Sequence, residues 1–297
     1  VTHDDESASG RQREEVLMVD DQFVPLFDGT STAGWRVIPR VYGTVRPGGP
    51  TIAEVFREQG MHPPVAPEEH PARWTVEDGV LVGRQDPPGC GYGGYLITER
   101  AYGDVELVLE TKPDWPADTG VMVRRRPDSW EGFQVLLDHR PHGGIGGFFG
   151  NGLASFSAVP FTVDVEHDAD GRPAGLRIDD AGVGPGTAIA HRRAQLSQAC
   201  DAEEFLHAWR WGEWNELRVR CVGNLPRLTT WVNGLLVAEL DTAAIDWPGY
   251  DPQAVARTLG PRGHIALEVH DNDAISGLDR WGPDAACRWR NIRIREL

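Results

Sequence analysis

Apolar and polar side chains alternate along three neighbouring runs, residues 104–112, 118–126 and 132–139. In the first, Val105, Leu107 and Leu109 fall on one side, and Glu106, Glu110 and Lys112 on the other. Val121 and Val123 oppose Met122 and Arg124 in the second. Phe133, Val135 and Leu137 oppose Gln134, Leu136 and Asp138 in the third. A repeat of two is the mark of a strand with one face against a core. If these strands are neighbours, one sheet face carries Glu110, Lys112, Arg124, Gln134 and Asp138.

Similar runs recur along the chain. Residues 23–29 read as a strand entering a turn at Asp28-Gly29, and residues 74–83 as a hairpin through Asp78-Gly79. Residues 214–221 and 228–240 form another strand pair, with a turn at Asn233-Gly234, and residues 287–295 close the domain. In residues 264–270, Ile265, Leu267 and Val269 face the core, so His264, Ala266, Glu268 and His270 face away. Between these runs lie a Pro- and Gly-rich loop at 37–73 around a short helix at 52–59, and a glycine-rich loop at 85–94. Residues 143–152 read as a tight β connection. Residues 154–210 hold weaker strands with a short helix near 201–208, and 241–262 read as a loop. No long segment has helical periodicity, and Gly and Pro punctuate every run, so the expected class is all-β, a β-sandwich or jelly roll. Residues 1–20 are expected to be a disordered or loosely attached tail and residues 21–297 a single domain.

Composition narrows the partners. The 297 residues carry a formal net charge of −16, which argues against nucleic acid and anionic membrane surfaces. No apolar run is long enough to span a bilayer. The polar, acidic first 21 residues contain no secretory signal, so a cytoplasmic location is expected, a signal already trimmed away being the other reading. Cys90, Cys200, Cys221 and Cys287 lack metal-ligand spacing, and reduced thiols are the plainer expectation than two disulfides. Lys112 is the only lysine among arginines. Lysine can do chemistry that arginine cannot.

Several pieces together resemble the 3-keto-disaccharide hydrolase domain family, whose fold is the concanavalin-like lectin/glucanase jelly roll. They are Leu26-Phe-Asp-Gly with Gly34-Trp35, Trp74-Thr-Val-Glu-Asp-Gly-Val-Leu, Leu96-Ile-Thr and Tyr102-Gly-Asp-Val-Glu-Leu. Thr119-Gly120-Val with Arg124 and Gly132-Phe-Gln-Val-Leu-Leu-Asp follow. The last are Trp214-Asn, Cys221-Val-Gly, Val232-Asn-Gly, His264-Ile-Ala-Leu-Glu-Val-His and Trp289-Arg-Asn-Ile. The chain departs from the family pattern at Gln134 and Leu136 (usually Glu and Gln), Glu268 (usually Gln) and Asp118-Thr119-Gly120 (usually Asn-Ser-Gly). It is also longer at 37–73, 156–212 and 241–262. These departures fall on polar strand positions and loops, where substrate choice is set.

The resemblance implies action on a glycoside whose sugar carries a ketone at carbon 3. The ketone acidifies the carbon-2 hydrogen; a base removes it, the enolate is held, and the anomeric group departs, with water adding back for net hydrolysis. This chemistry needs a base, an electrophilic stabiliser and an acid. His270 or Asp138 is the candidate base, Arg124 and Lys112 the oxyanion stabilisers, and Glu268 the leaving-group acid. Glu110 and Gln134 would complete the polar surface. Trp115, Trp130 and Trp247, placed in loops, are stacking candidates, whereas Trp35, Trp74, Trp214 and Trp289 read as core. Glu106 reads as a solvated strand residue and His139 as structural. Ordinary two-carboxylate glycosidase chemistry at Asp138 and Glu268 is the alternative. A divalent metal on Asp138, Glu268 and His270 is a further candidate, as is a structural calcium at Asp271-Asn-Asp273. A non-catalytic carbohydrate-binding module, or a tailoring enzyme acting on a non-sugar carbonyl, uses the same scaffold. The crowding of acids, bases and cations favours catalysis on a small-molecule glycoside or related carbonyl compound. The pattern leaves the oligomeric state open.

Overall fold

The computed structural model describes residues 22–40, 57, 71–179, 188–272 and 280–297. Strands and helices are numbered along the chain. Nine strands build one antiparallel sheet: β1 (Val24–Pro25), β3 (Arg73–Glu77), β4 (Val80–Arg84), β6 (Val105–Pro113), β13 (Gln198–Ala199), β14 (Asn215–Val222), β15 (Arg227–Val232), β16 (Leu235–Asp241) and β18 (Cys287–Glu296). Their order is β13-β16-β15-β14-β6-β18-β4-β3, with β1 on β18. Seven strands build the second: β2 (Trp35–Arg40), β5 (Gly93–Thr98), β7 (Asp118–Arg125), β8 (Gly132–Asp138), β9 (Ile145–Asn151), β10 (Ser157–Ala158) and β17 (His264–Val269), in the order β10-β9-β8-β7-β17-β5-β2. A separate hairpin pairs β11 (Val163–His167) with β12 (Pro173–Ile178). Among the described residues, the short helices α1 (Ile189–Ala194), α2 (Ala202–Ala208) and α3 (Pro252–Leu259) lie in the connections.

The inward halves of the alternating runs meet between the two large sheets. Leu107 and Leu109 of β6, Leu217 and Val219 of β14 and Trp289 of β18 pack with Val121, Val135 and Leu267 of the second sheet, all buried. Each fully buried aliphatic side chain of this kind contributes about 1.5–3 kcal/mol. The chain passes from the nine-stranded to the seven-stranded sheet between β6 and β7, so the short link at Asp114–Ala117 marks one end of the sandwich.

The hairpins form where the turn residues demand. Asp78-Gly79 and Asn233-Gly234 take φ of 50° and 81°, and of 49° and 86°, the left-handed pair that suits a two-residue turn. Asp201 caps α2, its side chain accepting from the Glu203 N–H. Four expectations need correction. Residues 37–40 are not loop but the end of β2, and residues 145–151 form β9 rather than a tight connection. Residues 241–262 are not all loop but contain α3, which Asp251 caps and Pro252 opens, the usual signal for a helix start. Glu106 is buried, not solvated, because Arg218 and Arg295 close over it. The tail at 1–20 and the helix at 52–59 lie outside the described residues, Arg57 alone excepted. All four cysteines are buried and free, and burial raises the Cys287 thiol to about 12, far from reactivity. Among the described residues no helix is long and apolar enough to cross a membrane.

Candidate active site

The outer face of the seven-stranded sheet carries the polar halves of β2, β5, β7, β8 and β17. Register sets the neighbours: Glu268 lies opposite Tyr95, Met122 opposite Gln134, and Asp118 opposite Asp138. Tyr95, Ile97, Met122 and Ala266 make a small apolar floor, with Ile38 packed on it. Over this floor runs a chain of polar groups. Arg40 Nε donates to Glu268 Oε1, Gln134 Nε2 donates to Glu268 Oε2 at 2.5 Å, and Asn151 Nδ2 donates to Gln134 Oε1 at 3.1 Å. Arg40 also pairs with Asp271 through Nη1. Arg125 lies over the Tyr95 ring, 4.4 Å from its centre. Burial and the Glu268 charge together raise the Tyr95 hydroxyl to about 12. Arg40, Glu268 and Gln134 are each at least 94% buried, so every charge there needs the partner it has.

A second cluster sits at the end of the sheet where β7 begins and β8 and β17 finish. Arg140 Nε and Nη2 clasp the Asp138 carboxylate at 3.0 and 2.9 Å, and Nη2 lies 3.6 Å from Asp118 Oδ2. Arg280 pairs with the same Asp118 oxygen, and His270 Nε2 stands 3.5 Å from it. His270 Nδ1 donates to the Asp271 carbonyl at 2.6 Å, which aims Nε2 at the cluster. Gln85 fixes the same strand end, donating to the His270 carbonyl at 3.0 Å. The two facing carboxylates diverge. Burial would raise Asp118, but Arg280, His270, Arg140 and Arg40 outweigh it and hold the group well below the usual range. Burial, then the Asp118 charge, pushes Asp138 up despite Arg140. Opposed shifts on adjacent carboxyls are how a site divides acid from base. Asp118 Oδ1 is buried without a hydrogen-bond partner among the described residues.

A cavity of about 940 Å³ opens beside this cluster. Arg140 lines it, together with Trp115 and Pro116 from the link between the sheets, His142, and Glu166 and His167 from the β11 strand. The buried charges thus meet open space at the Arg140 end, with an indole at the rim.

The structure brings Asp138, Gln134, Glu268 and His270 onto one face, and Trp115 beside it. Three expected members lie elsewhere. Glu110 and Lys112 are on β6, in the other sheet, where Glu110 accepts from Arg290 at 2.8 Å. Alternation was read correctly, but the link at 114–117 carries the chain to the opposite sheet before β7. Arg124 is turned off the face by an irregularity between β7 and β17, with φ of 52°. Its guanidinium reaches Asp104 at 2.8 Å and the carbonyls of Gly223 and Gly260. A Cβ at Gly263 would lie 2.5 Å from the Arg124 backbone, so only glycine permits that approach. Arg125 takes the outward position instead. Trp130 stands against Gly152 and Trp247 stacks on His191 at 5.1 Å; neither lines the cavity. Arg40, Asp118 and Arg140 were missed, and Asp271 was expected only as a calcium ligand. Arg40 and Arg140 follow the apolar runs immediately, and Asp118 continues the β7 alternation by one step, which was the available signal. Among the described residues no three His, Cys, Asp or Glu side chains are grouped to hold a metal ion. Guanidinium groups take the oxygens of Asp138, Glu268 and Asp271 that the metal and calcium expectations required, and Asp273 lies outside the described residues.

No functionally curated protein matches the sequence. Among solved structures, the chain is similar to a β-1,3-glucanase from Mycobacterium marinum, at 15% identity and a TM-score of 0.42 over 90% of this chain and 94% of that one. It is similar to a glycosyl hydrolase family 16 protein from Mycobacterium smegmatis, at 14% identity and a TM-score of 0.40 over 90% and 95%. A carbohydrate-binding module from Bacillus subtilis matches at 12% identity and a TM-score of 0.39 over 76% and 92%. The 3-keto-alpha-glucoside-1,2-lyase-like domain model matches residues 22–295, nearly the whole described chain, and the protein belongs to that family.

Proposed function

We propose that the protein cleaves a glycoside whose sugar ring carries a ketone at carbon 3, by β-elimination with or without the addition of water. The family membership supports the substrate class, and one observation supports the place: the Asp118, Asp138, Arg140 and His270 cluster, buried on the sheet, borders the cavity through Arg140. With Nδ1 committed to the Asp271 carbonyl, His270 has Nε2 left to act as the base for the carbon-2 hydrogen. Arg140, on the cavity wall, takes the stabilising role first given to Arg124 and Lys112, facing the enolate oxygen on carbon 3. The electron pair of the C2–H bond forms the C1–C2 double bond as the C1–O bond breaks, and the leaving oxygen takes a proton from Asp138, whose raised pKa suits it to hold one. The products are the enone and the free alcohol; water adding at carbon 1 gives the 3-keto sugar. Glu268 is held by Arg40 and Gln134 over the Tyr95 floor, further along the sheet from Arg140 and its cavity, so it positions the floor of the site rather than serving as the acid.

The test is incubation with 3-keto-glucosides in deuterated water, following enone, 3-keto-glucose and deuterium at carbon 2 by mass spectrometry. Turnover with deuterium exchange is expected. Sugar binding with neither turnover nor exchange would overturn the reading in favour of a carbohydrate-binding module.

A further inference from the structure

A second, smaller cavity of about 300 Å³ shares Trp115 with the first. Its walls include the indoles of Trp115, Trp209 and Trp211, and Pro113 and Pro173. Three buried polar atoms of its lining residues have no hydrogen-bond partner among the described residues: Trp115 Nε1, Trp209 Nε1 and His139 Nε2. His139 is 98% buried and Trp209 is 91% buried. Orphaned polar groups are rare in folded proteins, and three on residues that line one cavity mark it as a place for a ligand that both donates and accepts. A hydroxyl group does both. Burial holds His139 neutral, its pKa lowered to about 4, so its free nitrogen is an acceptor. Lys112 stands at the same cavity with no ion-pair partner among the described residues.

The walls are held in place. Asn215 bonds the Arg210 N–H and carbonyl and the Glu213 carbonyl, all at 2.9–3.1 Å, clamping the turn that presents Trp211. Asn233 ties the preceding Ala208 carbonyl at 2.7 Å. Trp211 in turn packs on His139, with ring centres 5.3 Å apart. Asp114, Arg210 and Glu213 complete the lining, and the flat indole plates with a few hydroxyl-matching groups and the Lys112 cation favour a flat ring bearing few oxygens over a sugar, which has a hydroxyl on nearly every carbon.

We infer that this cavity is the leaving-group subsite and that it takes a phenolic ring, so the substrate is an aryl 3-keto-glycoside. The inference rests on the proposed function for the neighbouring cavity that shares Trp115, but this cavity's occupant can be tested without turnover. Binding of 4-methylumbelliferone, catechol and glucose to the full chain is measured by calorimetry, for the wild type and for Trp211→Ala, Trp211→Phe, Lys112→Met and Glu110→Gln. The expected result is that 4-methylumbelliferone and catechol bind and glucose does not. Trp211→Ala should weaken phenol binding about tenfold, Trp211→Phe should restore most of it, and Lys112→Met should weaken it a few-fold. Glu110→Gln should leave it unchanged. Phenol binding that ignores both Trp211→Ala and Lys112→Met, tighter binding of glucose, or no binding at all would overturn the inference. Phenol binding lost in Trp211→Ala, in a protein that turns over no 3-keto-glycoside, would keep this cavity and sink the proposed function instead.

Discussion

The two sheets present outer faces with the same alternating charge pattern and opposite fates. On the nine-stranded sheet, Glu110 faces solvent with Arg290 at 2.8 Å and Asn291 beside it, and Arg290 covers the Trp214 ring at 4.1 Å. On the seven-stranded sheet, Arg40, Glu268, Gln134 and His270 are almost entirely buried. Solvent-exposed pairs contribute about 0–1 kcal/mol, because water competes for both partners. A buried charge is tolerable only when fully partnered, and removing one partner leaves the other stranded. A fold keeps such groups on a sheet face where they have work to do or a network to complete. Glu106 shows that a single carboxylate is also buried on the nine-stranded face, under Arg218 and Arg295, so what separates the site from the surface is a buried network of several charges beside a cavity.

Breaking the buried face should cost most. Arg40→Met strands Glu268 and Asp271, and the urea midpoint should fall by the equivalent of about 3–5 kcal/mol with an unchanged slope. A loss below about 1 kcal/mol would mean that water reaches these groups and the contrast is false. Next in size, His270→Ala removes the proposed base and should lower kcat for a 3-keto-glucoside by about 10²–10⁴-fold, with thermal stability measured in parallel. Acid sharpens the comparison further. His139 has its folded pKa lowered by burial from 6.5 to about 4, so the stability it contributes is complete above pH 6.5 and is lost as pH falls from 6.5 towards 4. The loss should reach up to roughly 3 kcal/mol by pH 4 in equilibrium melts, and His139→Leu should flatten that part of the profile. Asp118 and Asp271, both held below the usual range, contribute stability above pH 3.8 that disappears only at still lower pH. Smallest of all, Glu110→Gln on the exposed face should shift stability by less than about 1 kcal/mol.

The alternation along β7, β8 and β17 was enough to place Gln134, Asp138, Glu268 and His270 on one face, because a period of two fixes which side chains share a side. It could not place Glu110 and Lys112. The pattern in β6 is identical, but sheet membership is decided by the link at 114–117 and by pairing with distant β14 and β18. Arg124 was misplaced by one local irregularity, which moves every later side chain to the other face. Arg40 and Arg140 were hidden at strand ends, where the apolar repeat stops and only tertiary pairing shows a partner. The second cavity was beyond sequence reading, since its walls come from segments nearly a hundred residues apart and its orphaned atoms are visible only in three dimensions.

The most direct test sets one face against the other in a single assay of 3-keto-glucoside cleavage. Asp138→Asn combined with His270→Ala should lose turnover and carbon-2 exchange by about a thousandfold or more, while Glu110→Gln keeps the wild-type rate. Equal rates in the two variants, or a greater loss from Glu110→Gln, would contradict the assignment of the chemistry to the buried face.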